Sequence, residues 1–334
     1  MKGIDLNLLY KDIYFEPAYG KLCETIEKGV AEIFRLETTD GIISNMFLKK
    51  HLPVDLDPEQ KYLDISTPYG YGGPIILELD GNKTKLVAEY DRKFSEYCID
   101  NNIICEFIRF HPIIRNDLDF KEIYTTIFSR HTVSTNLIGI NDPLTEQFSR
   151  STRKNIRKAL ESGATVEVIE KPGNLDNFTK IYYETMDRNI ARDFYYFPKE
   201  YFDMICEKFY DSIINVNVYK DNFCIASGVY FHYDKIMQIH LSGTLDDYLY
   251  LSPAYLLRYA AIKWAKEHNI EIVHHGGGTT NDKNDSLLLF KQRFSKDPLS
   301  DFYIGKKIYN KEIYTAMVNK SKKEESTYFP QYRG

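Results

Sequence analysis

Residues 66–74 read Ser-Thr-Pro-Tyr-Gly-Tyr-Gly-Gly-Pro and follow a strand-like YLDI at 62–65. Gly70, Gly72 and Gly73 free the backbone for positive φ and close approach to a ligand, while Tyr69 and Tyr71 offer flat apolar faces with a polar tip. A plain turn needs only about two to five residues and no aromatics. The stretch therefore reads as a ligand-binding loop or as a structural loop stiffened by its prolines. A second group is cationic: Arg150, Arg153, Lys154, Arg157 and Lys158, with Asn155 among them. At helical spacing Arg150, Lys154 and Arg157 or Lys158 share one side. Such a face suits a diphosphate, the phosphates of CoA or an RNA backbone, and equally suits plain solvation. A third group, Gly276-Gly277-Gly278, ends a short apolar stretch, where open α/β sheets place ligands. Thr279, Thr280 and Asn281 beyond it can donate hydrogen bonds; the alternative is a tight crossover into the next helix. His240, flanked by Ile239 and Leu241, and the pair His274-His275 are candidates for a general base or for satisfied interior histidines. No HExxH or spaced Asp/His cluster argues for a metal, and no Ser/His/Asp or Cys/His set argues for a covalent intermediate.

The elements that must position these groups come from patterning. Residues 31–37 and 41–50 read as strands joined by a Thr-Thr-Asp turn, and 62–65 as a third. Residues 83–101 carry Leu86, Val87, Tyr90, Phe94, Tyr97 and Cys98 on one helical stripe, and strands are expected at 103–110 and 132–140. After Asp142-Pro143 a helix at 149–162 ends at Gly163, and a second covers about 175–188. Strands follow at 215–219, 224–232 and 235–242, then a helix at 253–268 with Ser252 as N-cap and Pro253 at N1, then a strand at 271–274. The order β-β-β, loop, α, β thus occurs twice. The expected domains are 1–141 and 142–334.

A chain of 334 residues with 43% apolar content supports two domains with real cores. A net charge of −5 creates no global field toward nucleic acid or an anionic membrane. Cys23, Cys98, Cys105, Cys206 and Cys224 form no CxxC pair, which suits free thiols in a reducing cytosol. The opening MKGIDLNLLYKDIYFEP carries acids and lacks a long apolar core, so no signal peptide is expected. No run of 18 apolar residues is present, so a cytoplasmic protein without a transmembrane segment is expected.

The 66–74 stretch resembles the signature of the FemABX-like branch of the GNAT acyltransferase superfamily, which includes enzymes that add amino acids to peptidoglycan precursors. FIRFHPII (107–114), SRSTRKNIRKALESG (149–163), IHLSGT (239–244, with His240 and Ser242), HHGGG with LFKQRF (274–294) and YFPQYR (328–333) match in the expected order. The resemblance implies an α/β (α+β) fold of two tandem GNAT-like domains. Each would be a mixed, mostly antiparallel sheet flanked by helices, and no long coiled-coil arm is seen here. It implies transfer of an acyl or aminoacyl group onto an amine, by direct attack, on a cell-envelope precursor. It also implies that Phe290-Lys291 lies at the transfer centre, where the lysine stabilises the tetrahedral oxyanion; the alternative is an amphipathic helix at 285–294 with Lys291 solvated. Two donors compete. Acyl-CoA, the preferred one, fits the near-neutral charge and missing arm. Aminoacyl-tRNA fits the basic helix and the lack of an Arg/Gln-x-x-Gly-x-Gly/Ala phosphate loop after Ser242. A non-catalytic GNAT module binding a nucleotide-sugar or peptide is the remaining reading.

Overall fold

The computed structural model describes residues 11–334. The signal-peptide reading rests partly on residues 1–10, outside those described. Two compact units are present: Tyr14–Ser129 with Asp301–Gly334, and Lys11–Ile13 with Arg130–Ser300. The second unit is thus inserted in the chain of the first. Chain order groups residues 301–334 with 142–300, whereas in space they complete the first unit.

The first unit starts with α1 (Pro17–Glu27), β1 (Val30–Thr38) and β2 (Gly41–His51). β1 and β2 form the expected hairpin, in register from Val30 opposite Lys49 to Thr38 opposite Gly41. β3 (Leu63–Ser66) lies antiparallel to β2, and β4 (Ile75–Leu79) pairs with the other end of β2. α2 (Lys83–Asp100) is started by the Asn82 side chain, which accepts from Lys85 N. Its buried face is Leu86, Val87, Tyr90, Phe94 and Cys98, the stripe that helical periodicity marks. β5 (Ile103–Arg109) then returns parallel to β3. α3 (Asp117–Phe120) and β6 (Thr125–Asn136) lead into the second unit.

That unit contains α4 (Pro143–Glu146), α5 (Arg150–Glu161), β7 (Ala164–Glu170), α6 (Asp176–Arg188), α7 (Lys199–Lys208), β8 (Ile213–Lys220), β9 (Phe223–Tyr233), β10 (Ile236–Thr244), α8 (Pro253–Glu267), β11 (Ile272–Gly277) and α9 (Ser286–Gln292). β7 to β10 form an antiparallel meander. β11 lies parallel to β10 and antiparallel to β6. Each unit therefore carries antiparallel strands, a crossover helix and a parallel strand, so the pattern read from the sequence is present twice. β12 (Ser300–Ile308) and α10 (Lys311–Ser321) return to the first unit, where β12 pairs antiparallel with β5.

The first unit's core gathers Phe47, Ile65, Tyr90, Phe94, Ile108 and Phe120; the second's gathers Phe148, Ile214, Tyr230, Leu256, Ala261 and Phe294. At the first unit's C-terminus, Tyr332 and Arg333 donate to the buried Asp64 carboxylate at 2.9 and 2.6 Å. Ser252 holds the N-cap position of α8 with Pro253 after it, as expected, but it sits in the left-handed region (φ 55) and its side chain makes no cap. All five cysteines are free. Among the described residues no group of acids, histidines or cysteines could hold a metal, and no helix is long and apolar enough to cross a membrane.

Candidate functional site

Two buried charged side chains, Asp285 and Lys291, lie in the stretch that follows β11. A bulge between His274 and Gly276 turns the strand, and Gly277 allows close packing: a Cβ there would sit 2.9 Å from Arg130 Cδ and from the His131 carbonyl. The next loop is organised by Asp285. Its Oδ1 accepts from Leu287 N and Leu288 N, each at 3.0 Å, and starts α9; its Oδ2 accepts from Thr279 N at 3.0 Å and Thr280 N at 2.9 Å. Hydrogen bonds, the Thr279 hydroxyl foremost, hold this carboxyl well below the usual carboxylate range. Arg130 donates to the carbonyls of Gly278 and Thr279 at 2.9 and 3.1 Å.

Lys291 occupies the last turn of α9 and donates to the Gly277 carbonyl at 2.6 Å. It is only 9% exposed, so the solvated alternative does not hold. Burial pushes its pKa down to about 7, and the Arg258 charge adds to the effect. Phe290 is half-buried, edge-on to Tyr255 at 5.1 Å, with the Arg258 guanidinium 4.7 Å from its ring centre. Leu288 is buried as expected, whereas Leu289 is 42% exposed. A lysine poised near neutrality in a dry setting can present a cation to a developing oxyanion or an amine to a proton.

The basic helix joins this centre through its N-terminus. Ser149 N donates to the Arg293 carbonyl at 2.8 Å, and Thr152 Oγ1 to the same carbonyl at 3.2 Å, which ties the start of α5 to the end of α9. Thr152, Ile156 and Ala159 are buried, leaving Arg150, Lys154, Arg157 and Lys158 exposed. None of these four makes an ion pair with a described residue. Arg153 differs: it turns back to the carbonyls of Phe148 at 2.8 Å and Thr145 at 3.3 Å, a structural role that helical spacing does not reveal. Asn155 makes no side-chain hydrogen bond to a described residue.

His240 lies at a bulge in β10, with Nε2 2.7 Å from the Tyr201 hydroxyl and its ring 4.8 Å from Phe231. Burial pushes its pKa down to about 3, so it stays neutral. Ser242, beyond it, pairs with Gly228 in the ladder. His274 Nδ1 faces Gln238 Oε1 at 2.8 Å, and His275 Nε2 faces Thr135 Oγ1 at 2.9 Å. Gly276 has φ 73 at the bulge.

The Gly/Tyr loop belongs to the first unit. Asn116 Nδ2 donates to the carbonyls of Gly72 and Pro74, both at 2.9 Å, and Tyr19 donates to the Tyr69 carbonyl at 2.9 Å. Tyr71 is half-buried, its ring edge-on to Tyr14 at 5.5 Å, His111 at 5.5 Å and Phe302 at 5.2 Å. Gly70 lies against the Tyr14 ring, and Gly73 has φ 87, a region closed to most side chains. These contacts account for the conformation of the loop. Cavities of about 220 and 160 Å³ in the second unit, beside Asn215 and Tyr219 and beside Asp142 and Tyr259, are lined by none of the candidate catalytic or binding residues.

Sequence reasoning missed Arg130, Arg258 and Asp285. A signal existed for Arg258: it is a charged residue within a helix that is apolar on nearly every side.

Known proteins resemble this chain in sequence and in fold. The alanyltransferase of Weissella viridescens that acts on UDP-N-acetylmuramoylpentapeptide-lysine N(6) is 25% identical over 174 residues, 51% of this chain and 50% of that protein. The chain thus spans about half the length of this curated relative. The crystal structure of FemX superposes with a TM-score of 0.69 at 16% identity, over 93% of this chain and 96% of that one. A tandem GNAT protein from the clavulanic acid biosynthesis pathway gives 0.53 at 7% identity, over 87% and 88%. Both show the fold, two GNAT-like modules in tandem. With residues 119–218 and 214–306, more than half of the chain, matching its family model, this protein belongs to the FemAB family.

Proposed function

We propose that the chain is an aminoacyltransferase that moves an aminoacyl group from aminoacyl-tRNA onto an amine of a peptidoglycan precursor, in the cytoplasm. The observation that carries the reading is Lys291, buried against the Gly277 carbonyl at the end of a helix to which the start of the basic helix α5 is tied. The name of the Weissella relative supplies the acceptor class, a lysine side chain of a muramyl pentapeptide, and an alanyl group as cargo. That cargo, together with the missing phosphate loop after Ser242, favours an aminoacyl ester over the acyl-CoA preferred on composition.

In the reaction, the acceptor's neutral amine attacks the ester carbonyl. The C–N bond forms, the carbonyl electron pair moves to oxygen, and the Lys291 ammonium faces that negative charge. Collapse of the intermediate breaks the C–O bond; the nitrogen loses a proton and the departing ribose oxygen gains one. Arg150, Lys154 and Arg157 hold the phosphates of the donor. In the first unit, Tyr69, Tyr71 and their glycines are proposed to form a substrate-contacting loop.

The test is incubation of purified protein with alanyl-tRNA and UDP-N-acetylmuramoyl pentapeptide. A product heavier by one alanyl residue supports the proposal. A product formed only with acyl-CoA, or ligand binding without turnover, overturns it.

A further inference from the structure

β8 runs Ile213-Ile214-Asn215-Val216-Asn217-Val218-Tyr219, and a strand sends alternate side chains to opposite faces. Ile214, Val216 and Val218 enter the core with α8. Asn215, Asn217 and Tyr219 therefore take the other face, where the two asparagines are 3% and 2% exposed. Asparagine is depleted in strands, and a buried amide costs stability unless its hydrogen bonds are made. An apolar pair would serve the sheet better, so the amides call for another reason.

Their hydrogen bonds run in one direction. Asn215 Nδ2 donates to the Ser227 hydroxyl and to the Gly228 carbonyl, both at 3.0 Å, and Ser227 donates to Asn217 Oδ1 at 2.6 Å. The Gly228 carbonyl can only accept, which fixes the orientation of both amides. Both amide hydrogens of Asn215 are thereby spent, while its Oδ1 accepts from no described residue. Asn217 Nδ2 reaches only the Tyr219 oxygen, at 3.5 Å, and Tyr219 itself donates to Glu167 at 3.0 Å. One acceptor and one donor are thus left over, two positions apart on the same face.

Both residues line a cavity of about 220 Å³, which the 172–175 loop and the start of α6 close from above. Asn174 and Asn177 line it from that side. Asn174 Oδ1 accepts from Asp176 N at 3.2 Å, which leaves its amide hydrogens to donate, and the Asn177 side chain bonds to no described residue. Gly173 lines the cavity as well, and a Cβ there would meet nothing within 4 Å. No lysine, arginine or histidine is among the lining residues, and the carboxylate of Asp176 disfavours an anion. The volume falls below the roughly 300–1,000 Å³ of drug-sized sites, which leaves room for a single ring. Four amides offer donors and acceptors together, and the Tyr219 ring adds a flat apolar face.

We propose that this cavity is a binding site for one neutral, hydroxyl-bearing sugar ring. The ring's hydroxyls donate to Asn215 Oδ1 and accept from the amides of Asn217, Asn174 and Asn177. The site is distinct from the Lys291 centre: β9 and β10 separate β8 from β11, and Phe290 packs with α8 on the opposite face of the sheet. It does not depend on the reaction proposed above.

Saturation-transfer NMR of the purified full-length chain, titrated with N-acetylglucosamine, glucose and alanylalanine, tests this. Saturable transfer to at least one sugar is expected. N-acetylglucosamine binding tighter than glucose identifies an acetamido sugar, and the reverse identifies a plain hexose. N215L should weaken binding about tenfold and N177A about threefold, the losses expected for neutral hydrogen bonds. G173W, which adds bulk at a position with open space, should abolish binding, and it serves with N177A if N215L fails to fold. No saturable transfer to either sugar, transfer to alanylalanine alone, or affinities unchanged in the folded variants overturns the proposal.

Discussion

Replacing Lys291 by Met keeps most of the side-chain volume and removes the amine, so it isolates the energetics of that one titrating group. In the folded chain burial holds the pKa near about 7; unfolded, it returns to the ordinary 10.5. Below about pH 7 both states carry the proton and burying the charge destabilises the fold. Between about pH 7 and 10.5 the unfolded chain binds the extra proton, so wild-type stability rises with pH, and above that window it levels off. At about 1.4 kcal/mol per proton per pH unit, wild type should gain about 2 kcal/mol relative to K291M between about pH 7 and 8.5. Other titrating groups are common to both proteins and cancel in the difference. Urea unfolding of both proteins at about pH 6, 7 and 8.5 measures it directly. A difference that stays flat over this range would show that the amine remains protonated and hydrated, and the picture of a dry, near-neutral lysine would be wrong.

The same lysine makes a kinetic prediction: if its ammonium form faces the oxyanion, the ratio of wild-type to K291R turnover should fall as pH rises through about 7, because arginine does not titrate there, and a pH-independent ratio argues against it. Reversing Arg150, Lys154 and Arg157 to Glu should weaken donor tRNA binding and flatten its salt dependence; filter binding at several salt concentrations decides, and an unchanged slope makes this face merely solvated. Arg153→Ala should leave that slope alone but cost about 1–3 kcal/mol in urea unfolding, through its two lost carbonyl contacts. In the first unit, burial raises the pKa of Glu106, which accepts from Asn45 at 2.9 Å and Tyr309 at 2.6 Å, so stability is lost as pH climbs above the ordinary carboxyl value. Glu106→Gln should therefore gain stability relative to wild type from about pH 4.5 upward, and a gap that instead widens in wild type's favour contradicts the assigned shift.

What local patterning could specify, it did. The β1–β2 hairpin announces itself by alternation and a turn, and α2 and α8 by apolar stripes that are buried in the structure. β12 stayed illegible because its partner β5 lies far back in the chain, and no local signal encodes a strand that pairs across such a distance. Lys291 was identifiable by resemblance, but its burial was not. That depends on α9 folding back so that the Lys291 amine meets the Gly277 carbonyl, 14 residues earlier in the chain. Arg153 and Lys154 are adjacent basic residues with opposite fates, because only Arg153 lies over the carbonyls of the preceding turn. For Tyr71, the features that suggest a ligand loop also serve an aromatic cluster with Tyr14, His111 and Phe302.

The closing of the first unit by β12 and α10 sets an order on biosynthesis. A ribosome delivers β5 roughly 200 residues before it delivers the strand that pairs with its edge, a delay of about 10–40 s at ordinary elongation rates. During that interval the nascent first unit presents an open strand edge and leaves the Asp64 carboxylate without Arg333, while the inserted unit, contiguous from Arg130 to Ser300, emerges and can fold first. The N-terminal module of this chain is therefore the last to mature, and it is the one most exposed to chaperone capture or mispairing while translation is under way.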